Sequence, residues 1–296
     1  MANANIDLIR ELISSSGLEE PTIIEQREGM ERMTGALPLP DGVTVEPTTL
    51  AGRPAESITP AAGTGAHVVL YLHGGGYCIG SISTHRNLAA RLALATGSRV
   101  VTLDYRLAPE HPFPAAVDDA VAAYAELVDR GTDPTDLAIA GDSAGGGLTV
   151  ATLLAIRDAG LPMPAAGVCL SPWTDLTQSG ASYRSRAEAD PMITKAGLDT
   201  MAAAYLDGGS ADDPIASPLF ADLTGLPPLL VHVGDAEMLL DDSVRLHERA
   251  VAAGVDATLQ VWDDMIHVFQ AFPADLLPES DESIAGIAAF LDDRLG

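Results

Sequence analysis

A chain of 296 residues with 47% apolar content is long enough to bury a large core and too apolar for a disordered one. Lys+Arg number 16 against 42 Asp+Glu, a net charge of −26, which argues against nucleic acid or an anionic membrane as partner. No apolar run is long enough to span a bilayer, and the N-terminus lacks the basic start and apolar stretch of a secretion signal, so a cytoplasmic protein is expected. Lys195 is the only lysine. Such an acidic, lysine-poor surface fits either a salty habitat or an ordinary bacterial-type surface.

Residues 6–36 carry apolar positions at helical spacing, first Ile6, Leu8, Ile9, Leu12 and Ile13, then Ile23, Ile24, Met30 and Met33. The spacing predicts two short helices. A Pro/Gly stretch from Leu37 to Gly42 breaks them. An alternating strand over 43–47 and a second over 55–58 follow. From Val68 the pattern changes to short continuous apolar runs at 68–72, 100–103, 137–140, 167–170 and 229–233. Such runs suit strands covered on both faces. Helical stretches at 87–96, 115–129 and 148–159 lie between them, so a mostly parallel sheet flanked by helices is expected. A last strand fits 258–262 and a closing amphipathic helix fits 283–295. Residues 178–210 are helical without an obvious sheet partner. The two cysteines, Cys78 and Cys169, sit in apolar stretches and read as buried free thiols, with no metal-type spacing.

Gly141-Asp142-Ser143-Ala144-Gly145 has the form G-x-S-x-G, between an aliphatic run and a helical one. A serine on such a strand–turn–helix is held in a strained backbone with its hydroxyl exposed at the sheet edge. By itself the pentapeptide equally fits a Gly-rich helix start with a capping serine. A nucleophile needs oxyanion donors, a base, and a group that orients the base. His73-Gly74-Gly75-Gly76-Tyr77 follows the strand at 68–72, and its glycines leave backbone N–H groups uncovered. Gly75 and Gly76, with the N–H of Ala144, are the candidate donors. His73 itself reads as a loop stabiliser. Of the seven histidines, His67 flanks a strand, His85 and His111 fall in expected loops, His232 lies in a strand and His247 on a helix. His267 follows the last strand, at the same sheet end as the Ser143 turn, and is the candidate base. After the strand at 229–233 four carboxylates compete. Asp241 and Asp242 suit a helix N-terminus. Asp235 and Glu237 remain as candidates to orient the imidazole.

His73–Gly76, the segment Tyr105-Arg106-Leu107-Ala108-Pro109-Glu110, and Gly141–Gly146 together resemble the motifs of the hormone-sensitive lipase family of α/β-hydrolases, the bacterial family IV esterases. The resemblance runs from about Val68 to the C-terminus. That family's acid usually stands in a D-P-L-x-D-E type segment, which places Glu237 at the acid position and Met238 at the proline. The resemblance implies a catalytic core over 39–177 and 211–296, and a helical cap over 1–38 and 178–210. It implies that the segment from Tyr105 to Glu110 braces the oxyanion loop. It also implies a serine carboxylesterase with catalytic Ser143, Glu237 and His267, acting on short- to medium-chain acyl esters. A lactone hydrolase of the monoterpene lactone type, and amide hydrolysis, would use the same residues. A ligand-binding protein without turnover is the other class of reading, separated by the intact triad. No metal or cofactor is required, and the expected partner is a small ester or lactone, with homodimer formation left open. Met30, Met33, Met192, Met201 and Tyr205 fit either an apolar pocket lining or the cap's own core.

Overall fold

The computed structural model describes residues 4–14 and 22–296. Residues 1–3 and 15–21 of the expected cap, and the side chain of Leu12, lie outside the described residues. In chain order the elements are α1 (Ala4–Ser14), α2 (Ile23–Met33), β1 (Val43–Leu50), β2 (Arg53–Pro60), β3 (Val68–Leu72), α3 (Ile82–Thr96), β4 (Arg99–Leu103) and α4 (Ala115–Asp129). Then follow β5 (Leu137–Asp142), α5 (Ala144–Asp158), β6 (Ala166–Leu170), α6 (Ser182–Ser185), α7 (Lys195–Leu206), β7 (Leu229–Gly234), α8 (Leu240–Ala252), β8 (Ala257–Trp262) and α9 (Pro278–Asp292). One eight-stranded sheet has the order β1-β2-β4-β3-β5-β6-β7-β8. β1 pairs antiparallel with β2 and β2 antiparallel with β4. All other pairs are parallel.

Every residue of β3, β5, β6 and β7 is buried, which explains their mostly apolar sequences, with Asp142 and His232 the polar exceptions. Alternate residues still serve different faces. Leu70 and Ile139 pack with Leu127, Leu148 and Leu246, from α4, α5 and α8. Val69 and Ala138 pack with Leu88, Leu92, Ile284 and Ile287, from α3 and α9.

Three helices start earlier than their apolar periodicity suggests. α3 begins at Ile82 because Ser81 and Thr84 form a capping box, and this puts His85 on a helix rather than in a loop. α5 begins at Ala144, directly after Ser143, so the Gly-rich stretch is its first turn. Glycine has low helix propensity but is needed here: a Cβ on Gly145 would collide with the carbonyls of Leu72 and His73. α9 also starts early, with Pro278 in its first turn. The segment between β6 and β7 holds α6 and α7 and adds no strand. No helix among the described residues is long and apolar enough to cross a membrane.

Candidate active site

Ser143 stands between β5 and α5 at φ 52°, ψ −121°. Such a backbone costs about 1–3 kcal/mol and persists only where its surroundings fix it. They do so here: Ser143 N–H donates to Leu170 O (2.8 Å), and Ser143 O accepts from the N–H groups of Trp173 (2.9 Å) and Gly147 (3.1 Å). Asp142 and Ala144 are buried while Ser143 is partly exposed.

Asp142 ties the serine turn to the glycine loop. Its Oδ1 accepts from Tyr71 Oη (2.6 Å) and from Gly74 N–H (3.1 Å). Its Oδ2 lies 3.3 Å from His85 Nε2. Burial pulls the His85 pKa down, but the charge and hydrogen bond of Asp142 outweigh it and leave it raised. Burial pushes Asp142 up, and His85 and Tyr71 bring it below its ordinary value. Each partner thus favours the charged form of the other beneath the loop.

The loop itself is buttressed from several sides. Tyr105 Oη donates to His73 O (2.6 Å), and the two rings stack at 4.3 Å. Burial lowers the His73 pKa to about 3, so this imidazole is neutral. Arg27 on α2, which carries no motif, donates to Cys78 O (2.7 Å) and Ala108 O (2.8 Å) and pairs with Glu110. Gly75 and Gly76 have φ of 114° and 59°. Gly75 O accepts from the N–H groups of Cys78 and Ile79. The N–H groups of Gly75 and Gly76 find no partner among the described residues, and that of Ala144 belongs to the open first turn of α5.

His267 follows β8 and is 5% exposed; Glu237, after β7, is fully buried. His267 Nδ1 lies 3.7 Å from Glu237 Oε2, ion-pair separation but longer than a hydrogen bond. Catalytic hydrogen bonds are often this long before substrate binds. Burial lowers the His267 pKa, and Glu237, with Asp190 and Asp142, more than compensates, leaving it raised. Burial also raises Glu237, opposed by His267 and Ser171. Asp235 is turned to other work: its Oδ1 accepts from Asp264 N–H at 2.8 Å. Of the remaining histidines, His232 is buried against Ser283, and burial lowers its pKa to about 4.

The chain matches the model of a family described by its alpha/beta hydrolase fold over residues 69–271. It is 44% identical to an acetyl-hydrolase of Streptomyces hygroscopicus, an alignment covering 100% of this chain and 99% of that protein. A solved esterase of the bacterial hormone-sensitive lipase family superposes with a TM-score of 0.96 at 50% identity, covering 100% of both chains. Another solved structure, that of EstE5 soaked with p-nitrophenyl butyrate, gives 0.95 at 47% identity, covering 99% of both. This chain is an esterase of the hormone-sensitive lipase family.

Two sets of contacts around Glu237 in the esterase carried no sequence signal. Asp190, in the segment between β6 and β7, accepts the N–H groups of Met192 (2.9 Å) and Ile193 (3.0 Å), and with its other oxygen that of Met238 (2.9 Å). Ser171 bonds Glu237 and the residue after His267. The five apolar residues singled out in the sequence separate. Met33 and Met192 are exposed. Tyr205 is buried and stacks on Tyr77 with ring centroids 3.8 Å apart. Met201 covers Gly76 so closely that a Cβ there would collide with its sulfur. Met30 is partly exposed on α2. Both cysteines are free and buried. Among the described residues no His/Cys/Asp/Glu cluster could hold a metal ion.

Proposed function

We propose that the esterase hydrolyses short- to medium-chain acyl esters through an acyl-enzyme on Ser143. The observation that carries this reading is the buried His267–Glu237 pair, 3.7 Å apart, at the same sheet end as the strained Ser143 turn. His267 removes the Ser143 proton as Oγ attacks the ester carbonyl. Glu237 fixes the imidazole tautomer and stabilises its protonated form. The N–H groups of Gly75, Gly76 and Ala144 receive the developing oxyanion, each worth roughly 2.7–4 kcal/mol of barrier. His267 returns the proton to the leaving alkoxide, the alcohol departs, and water repeats the sequence to release the acid. EstE5, soaked with p-nitrophenyl butyrate, supports a short acyl ester as substrate class.

Residues 39–177 and 211–296 act in this reading as the catalytic core, with 1–38 and 178–210 as the cap. The Arg27 bonds from α2 and the Tyr205 stack from α7 support a cap seated on the oxyanion loop. A p-nitrophenyl series from acetate to dodecanoate, run beside a lactone panel, tests the substrate class. Turnover should peak between acetate and octanoate; a peak at dodecanoate, or faster lactone opening, contradicts it. Glu237→Gln should cost far more activity than Asp235→Asn; the reverse order would reassign the acid.

A further inference from the structure

Ser171 is the first residue past β6, fully buried, with φ 46°. Its N–H donates to His232 O at 2.7 Å, fixing it against β7. Its hydroxyl makes two bonds. It donates to Glu237 Oε2 at 2.9 Å, and it accepts the N–H of Val268 at 3.1 Å. Val268 directly follows His267 and itself adopts φ 47°. The Glu237 oxygen that Ser171 holds is the one facing His267 Nδ1, and Oε1 has no hydrogen-bond partner among the described residues. One hydroxyl thus joins the loop after β7 to the loop after β8.

We infer that Ser171 is a positioning residue for ester hydrolysis, holding the Glu237 carboxylate and the His267 loop in one geometry. The inference rests on Glu237 and His267 being the acid and base proposed above. Two physical points support it. A buried carboxylate needs a donor to stay ionised, and Ser171 supplies one on the oxygen that must orient the imidazole. A serine in the left-handed region is uncommon, and glycine would occupy it at less cost. The hydroxyl is what serine adds there.

Ser171→Gly tests this, because it accepts the backbone and deletes both bonds. The expected result is a kcat lower by roughly ten- to a hundredfold, the loss for a hydrogen bond to a charged group, with KM changed less than about threefold. Removing the donor favours the protonated Glu237–His267 pair, so the acid limb of the kcat–pH profile should move to higher pH. Unchanged kcat and an unmoved limb would overturn the inference. So would a kcat loss that follows a lower melting temperature while the limb stays in place. Ser171→Cys, isosteric and a weaker donor, gives the same reading, with intermediate effects expected, should the glycine variant not fold. Glu237→Gln is measured in parallel. If it stays active, the acid assignment fails; if it is impaired while Ser171→Gly is not, only the Ser171 role fails.

Discussion

Gly74 N–H donates to Asp142 Oδ1 at 3.1 Å, so the residue before the proposed nucleophile Ser143 pins the loop of the proposed oxyanion donors. The two halves of the site are set by one buried carboxylate, itself held by His85 and Tyr71. A methyl group at Gly74 would collide with Asp142 Oδ2. Gly74→Ala should therefore displace the loop and lower kcat by roughly a hundredfold, the scale of one lost oxyanion donor. Steady-state kinetics on p-nitrophenyl butyrate check this, with a far-ultraviolet spectrum to confirm the fold.

In the proposed mechanism His267 acts as a base only when neutral, and against the pull of burial its environment, chiefly Glu237, raises its pKa above 6.5. The acid limb of kcat/KM should then fall above pH 6.5. Glu237→Gln removes the main raising contribution and leaves burial, so the limb should move down. The rate plateau should fall by about 10⁴-fold, as when a triad carboxylate becomes an amide. A pH–rate profile of both proteins gives the two signs directly.

Asp242 lies in the first turn of α8, buried, accepting the N–H groups of Thr174 (2.8 Å) and Asp175 (2.9 Å) and the hydroxyl of Tyr183 (2.8 Å). Burial pushes its pKa up to about 7, against the pull of those bonds. A carboxyl raised above its unfolded value binds its proton more tightly in the folded state. Its stabilising contribution is complete below the unfolded value of 3.8 and is lost as pH rises towards about 7. Between pH 5 and 8 the melting temperature should fall more steeply in the wild type than in Asp242→Asn. Parallel thermal melts across that range show it.

Much of this was legible in the sequence, for physical reasons that differ by element. The run at 68–72 gave β3 with both ends correct, because a strand buried on both faces is uniformly apolar. The start of α3 was hidden because capping by Ser81 and Thr84 outweighs the polar character of Ser83, Thr84 and Arg86. Asp235 and Glu237 could not be separated from composition alone. They stand two residues apart, and the backbone bonds of Asp235 to Trp262 O and Ala236 to Met265 O turn the chain between them. Ser171, Asp190 and Arg27 left no trace because they stand in no motif themselves and are distant in the chain from Glu237, Met238 and Cys78, which they bond.

Met201 on α7 covers Gly76 and contacts its Cα side, while Tyr205, one turn on, is locked in the stack with Tyr77. Met201→Ala should open space above the oxyanion loop. The ratio of kcat/KM for octanoate over acetate should rise by about tenfold, the low end of what one methylene is worth in an apolar pocket. The p-nitrophenyl ester series measures the ratio, and Tyr205→Ala should instead lower the melting temperature.

The central claim is that Ser143 is the nucleophile, and the most direct measurement is hydrolysis of p-nitrophenyl butyrate by Ser143→Ala with its melting temperature recorded. The account predicts a kcat lower by about 10⁴-fold or more in a folded protein. A folded variant that keeps a tenth of the wild-type rate would contradict it.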